Sequence, residues 1–196
     1  MQYVILYVVA MLLELGGVWW INRCEAELSL EIKKYGIILA IGNALLLALA
    51  WYKESLGGAS PAWYFGLFTY LLCLTIYDLK FRELPDWWHL LLLVAFAGAW
   101  ISGVQHVTFL ESGLMTVILA AVLGLIFLVR KDAVGVGDMK LILVCAVYAG
   151  FSCGGILIRG MIVAFFWSLG MLLLKKATAK SELPFVPFLL IGALLI

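Results

Sequence analysis

The chain is 196 residues long, with 66% hydrophobic and 13% charged residues and a mean hydropathy of +1.13, which excludes a water-soluble globular domain. Its formal net charge is +1 with no concentrated basic face, which excludes nucleic acid as a partner, because neutralising phosphates takes clustered Lys and Arg. A helix that crosses a bilayer needs about 20 largely apolar residues. Apolar runs of that kind follow one another here, separated by short charged or Gly/Pro-containing links. The expected class is all-α: a polytopic helical membrane protein of about eight transmembrane helices, forming one integral membrane domain over 1–196 in contact with lipid. Membrane strands are excluded because the apolar runs show no alternation of polar and apolar residues.

The first expected span, 2–21, lacks a basic leading region and carries Glu14 at its middle, so it reads as a retained helix rather than a cleaved signal. An ionised carboxylate at that depth costs a few kcal/mol, so Glu14 should face the bundle or be protonated, with Arg159 as one candidate partner. The link from Asn22 to Lys34 is the longest polar stretch and is too short to fold on its own. Further spans are expected at 35–51, 62–78, 87–103, 110–129, 138–150, 155–174 and 184–196, the sixth and eighth being short for a full crossing. Residues 1–61 then form an N-terminal helical part, and 62–196 the remainder.

Lys and Arg sort themselves among the links. All of those outside the spans except Lys53 fall in the first, third, fifth and seventh links, which places these links in the cytoplasm and both termini outside. Trp19, Trp20, Trp87 and Trp88 fall at span ends, where an indole anchors a helix between headgroup and tail. Cys24, Cys73, Cys145 and Cys153 form no C-x-x-C pair and no zinc-finger spacing, so they read as small apolar residues, and no metal or cofactor is expected. His89, His106 and Glu111 lie in or near links, where solvated or headgroup positions account for them.

Two features rise above this background, both at cytoplasmic helix ends. In the first, Asp78 closes a span and is followed by Lys80, Arg82, Glu83 and the turn Leu84-Pro85-Asp86. In the second, Gly135-Val136-Gly137 precedes Asp138, which opens the next span and is followed by Lys140. Glycines two apart let a backbone bend sharply and approach its neighbour closely. Two aspartates at one membrane face can share a proton, since like charges a few Å apart do not both ionise cheaply. That is the arrangement of an aspartic-protease dyad, in which one carboxylate takes a proton from water while the protonated partner polarises the scissile carbonyl. Alone, either aspartate also reads as a solvated interfacial charge or a helix cap.

The combination resembles the aspartic prepilin peptidases of bacterial type IV pilus and type II secretion systems, a GxGD family. The resemblance rests on Asp78 with Lys80, Arg82 and Leu84-Pro85-Asp86, on Gly135-x-Gly137-Asp138-x-Lys140, and on Pro184-Phe185-Val186-Pro187-Phe188-Leu189, and it covers roughly 62–196. It implies a multi-pass protein of the cell inner membrane with Asp78 and Asp138 as the catalytic pair. The implied substrate is a prepilin or pseudopilin precursor cut at the cytoplasmic face after a glycine. Glu83, Asp86 and Asp132 are candidates to bind its basic leader. The third motif also has a plain reading, as prolines at a helix start are ordinary. Larger family members carry a cytoplasmic insert with paired C-x-x-C motifs and a methyltransferase role. Here that place is 22–34 with Cys24 alone, so a short form without methyltransferase activity is expected. Two rivals remain among enzymes. A presenilin-like protease would carry a Pro-Ala-Leu motif that is absent, and a preflagellin-type peptidase would place its first aspartate nearer the N-terminus. A transporter or assembly scaffold using Glu14 and Arg159 is the alternative of a different class.

Overall fold

The structure, a computed structural model, describes residues 2–24, 27, 30–57, 59–101, 106–130, 134–175 and 183–196. Among them are eight helices and no strand: α1 (Gln2–Cys24), α2 (Ile32–Ser55), α3 (Pro61–Phe81), α4 (Asp86–Ile101), α5 (Phe109–Val129), α6 (Val136–Ala149), α7 (Ser152–Leu173) and α8 (Val186–Leu194). Each overlaps the span expected from the sequence. Local signals account for several of the ends. Ser60 accepts a hydrogen bond from the Trp63 amide and Pro61 takes the first position of α3, so capping and a preset φ start that helix. It stops at Arg82, which turns left-handed at φ 60° and donates its amide to the Asp78 carbonyl. At α5, Thr108 and Glu111 cap each other's backbone amides, which gives Glu111 a helix-start role rather than a headgroup position.

Helices α2, α3, α5 and α7 are each long and apolar enough to cross a membrane. The first, third and fourth of these leave most of their apolar side chains exposed, Ile41, Leu125 and Phe165 among them, as lipid-facing helices must. Helix α3 is the opposite: it is buried along nearly its whole length, against α1, α2, α4, α6 and α8. With 14 and 9 residues, α6 and α8 span only about 21 and 13 Å, short of the roughly 30 Å hydrocarbon core. Helix α8 is held on α7 by backbone contact. A Cβ on Gly160 would lie 2.9 Å from the Phe188 carbonyl oxygen, and one on Gly192 would lie 2.8 Å from the Gly160 nitrogen. Only glycine permits that approach.

The threading groups helix ends as the Lys/Arg sorting implies. At one end Trp20 meets Trp87 edge-on at 5.7 Å, and the Lys80 ammonium lies 5.3 Å from the Tyr35 ring centre. At the other, Trp63 stacks on Tyr148 and accepts its hydroxyl at 3.1 Å through the Trp63 carbonyl. Three expectations are corrected. Glu14 does not pair with Arg159: it is buried against α2 and α3, accepting from the Asn43 amide and, at 3.1 Å, from the Cys73 thiol. Trp88 is no interfacial anchor, being buried and packed on Gly17. His89 is likewise buried, its Nδ1 2.6 Å from the Tyr70 hydroxyl. A cavity of about 330 Å³ opens between α1, α3, α4 and α6, with Glu14, Thr69, Tyr70 and Trp88 on its wall.

Candidate active site

Asp78 occupies the last turn of α3, yet it is only 6% exposed. Burying a carboxyl without partners is costly, so its bonding must be accounted for. Its Oδ2 accepts the backbone N–H of Val186, the first residue of α8, at 2.9 Å. The N-terminus of a helix carries unpaired amides and a partial positive charge, which suits it to a carboxylate. Arg82 adds a cation within electrostatic range. Its left-handed turn is what allows the chain to leave α3 and reach Pro85 within three residues.

Asp138 arrives from the other side. It is the third residue of α6, half-buried, with Gly135 as the preceding cap residue. A Cβ on Gly135 would stand 3.4 Å from the Asp138 Oδ2, so the bare backbone there leaves room for the carboxyl. A Cβ on Gly137 would touch Leu84 at 3.6 Å, so this glycine brings the first turn of α6 onto the α3–α4 turn. The two carboxyls, 60 positions apart in the chain, thereby come within electrostatic range of each other.

The remaining motif residues surround this mouth. Pro85 is buried beneath the turn, and Glu83 is exposed beside it. Lys140 holds both oxygens of Asp86, at 2.8 and 2.9 Å, in an ion pair that spans from α6 to the start of α4. Asp132, the third leader-binding candidate, lies outside the described residues. Sequence reasoning missed the Val186 amide as a partner of Asp78. Its signal was the Pro184 to Pro187 segment, which had an ordinary explanation as a helix start. Among the described residues no group of three or more His, Cys, Asp or Glu could hold a metal ion. Two partly or fully buried carboxyls thus lie near each other, one fixed by a helix-start amide and the other carried by a glycine turn, and carboxyls so placed are the chemical requirement for dividing the roles of acid and base.

Comparison with known proteins places the chain beside a peptidase family. The model of the Type IV leader peptidase family covers residues 65–178, more than half of the chain, including both aspartates and the Lys140–Asp86 pair but neither Glu14 nor α8. No curated protein and no solved structure matches the chain.

Proposed function

The chain belongs to the type IV leader peptidase family, and from that premise we propose that it is an aspartic endopeptidase that removes the basic leader of prepilin-like precursors at the cytoplasmic face of the inner membrane. The observation that carries this reading is the meeting of Asp78 and Asp138 at one end of the bundle, where the expected cytoplasmic links also gather.

The chemistry needs only these two groups and water. The ionised carboxylate accepts a proton from a water whose oxygen bonds to the scissile carbonyl carbon, while the protonated partner donates a hydrogen bond to the carbonyl oxygen. The tetrahedral intermediate collapses as the C–N bond breaks, and the leaving nitrogen takes a proton from the dyad. The products are a leader with a new carboxyl group and a chain with a new N-terminal amine. The Val186 amide keeps the Asp78 carboxyl from rotating away during these transfers. Placing the pair where α3 and α6 end lets the scissile bond sit at the membrane surface while the following apolar segment stays in lipid.

Cleavage without methylation is part of the proposal. A methyltransferase must enclose S-adenosylmethionine and an amine in a shaped pocket, and the 22–34 link is too short to build one. Co-expression with candidate precursors carrying a basic leader and an apolar helix tests the reading. The expected result is a shortened product on a gel with the wild-type chain and none with Asp78→Asn or Asp138→Asn. Mass spectrometry of the product made with S-adenosylmethionine present should show a free, unmethylated N-terminus.

A further inference from the structure

We propose that the Lys140–Asp86 ion pair is a latch that sets the distance between the two aspartates, which makes Asp86 a positioning residue rather than a contact for the substrate leader. The inference rests on the peptidase reading for its kinetic consequence, but its structural content stands separately.

Three observations lead to it. First, the pair is tied closely to both acids: Lys140 follows Asp138 by two residues in the first turn of α6, and Asp86 begins α4 at the far side of the short turn that leaves Asp78. Second, α3 and α6 touch each other sparingly, whereas α4 packs on both. The separation of Asp78 and Asp138 is therefore set in large part through the start of α4, where packing is supplied by the Gly137 to Leu84 contact and a salt bridge by Lys140 and Asp86. Third, both oxygens of Asp86 are already taken by one ammonium, at 2.8 and 2.9 Å. A basic leader would have to displace Lys140 to use that carboxylate, and like-charge repulsion opposes it. Glu83 is left as the exposed acid beside the mouth.

Magnitudes separate a latch from a stabilising bond. The two side chains are 48% and 69% exposed, and such pairs contribute about 0–1 kcal/mol to stability. That is too little to hold a bundle together. A misplacement of about 1 Å at a reacting centre, by contrast, can cost on the order of 100-fold in rate. Loss of the pair should therefore be read in kcat far more than in melting temperature.

The test uses the full chain in detergent or liposomes, with Asp86→Lys, Lys140→Asp and the swapped double variant. Each single change should lower kcat by about 10–100-fold with KM nearly unchanged. The swap should recover most of that loss. A second readout needs no substrate. In a Cys24→Ser background, Leu84→Cys with Gly137→Cys places two Cβ atoms about 3.6 Å apart, within disulfide range. Cross-linking under mild oxidation should be fast in this background, slowed by either charge reversal and restored by the swap. Equal cross-linking in all four backgrounds would overturn the latch, as would single variants that raise only KM. If no precursor were cleaved by the unaltered chain, the peptidase reading would fail while the cross-linking rates still decided whether the latch exists.

Discussion

Two regions of this bundle bury an acid, and they treat it differently. Glu14, at the middle of α1, is closed in by side chains: Asn43 from α2 and Cys73 from α3 donate to its two oxygens, and the Thr69 hydroxyl donates to the Asn43 carbonyl oxygen at 3.0 Å. Asp78, at the end of α3, is held by the Val186 amide at the start of α8 and lies within electrostatic range of a second carboxyl. In the first region every polar group answers another, and the result ties three helices together. In the second, one amide fixes the acid and a second carboxyl lies within electrostatic range. The difference separates an acid enclosed by packing partners from one available to the proposed chemistry.

The strongest way to break this comparison is to neutralise each acid in turn. Asp78→Asn and Asp138→Asn should each lower cleavage by ~10³-fold or more while insertion and melting in detergent stay close to wild type. The double variant should be scarcely worse than either, since members of one catalytic unit are not additive. If instead Glu14→Gln abolished function while both Asn variants retained it, the transporter or scaffold reading would replace the peptidase.

Removing the clasp on Asp78 comes next. Val186→Pro deletes the N–H given to Asp78 at a helix position where proline is tolerated. Hydrogen bonds to charged groups contribute about 1.5–3 kcal/mol, so kcat should fall about 10- to 100-fold with little change in KM. Val186→Ala, which keeps the amide, is the control and should cleave near the wild-type rate.

Glu14→Ala sharpens the other side. It leaves the Asn43 and Cys73 donors unpaired in the core, which should cost about 1–3 kcal/mol in unfolding experiments while activity per folded molecule is retained. Glu14→Gln, keeping an acceptor oxygen, should cost less. Smallest of all is the effect expected of the exposed Glu83. Glu83→Gln should raise KM only a few-fold in steady-state cleavage, because exposed charge pairs contribute about 0–1 kcal/mol each.

Much of the architecture was legible in the sequence because apolar runs of helix length, parted by charged or Gly/Pro links, mark the spans in the letters themselves. The Ser60-Pro61 start and the Thr108 to Glu111 box went unread and set the exact ends. The two aspartates were legible for a similar reason, as each stands beside a proline turn or a glycine pair. What stayed hidden was rotation. Helix α4 is apolar around most of its circumference, so nothing in its periodicity distinguished the buried side of Trp88 and His89 from the lipid-facing side of Leu90 and Val94. The partners of Glu14 were hidden likewise, since Asn43 and Cys73 reach it only when α2 and α3 are turned correctly. The Val186 amide has no residue-type signature at all, because every residue except proline carries the same donor.

The glycine seam between α7 and α8 joins the lipid-exposed surface to the candidate site. Gly160 and Gly192 let the two backbones seat on each other, so the short α8 lies directly between the long, lipid-exposed α7 and the buried α3. The amide that grips Asp78 is at the far end of that same α8, six residues from Gly192, or about 9 Å along the helix. The seam therefore puts the bilayer-facing helix and the helix start that holds the Asp78 carboxyl in direct backbone contact, with no side chain between them.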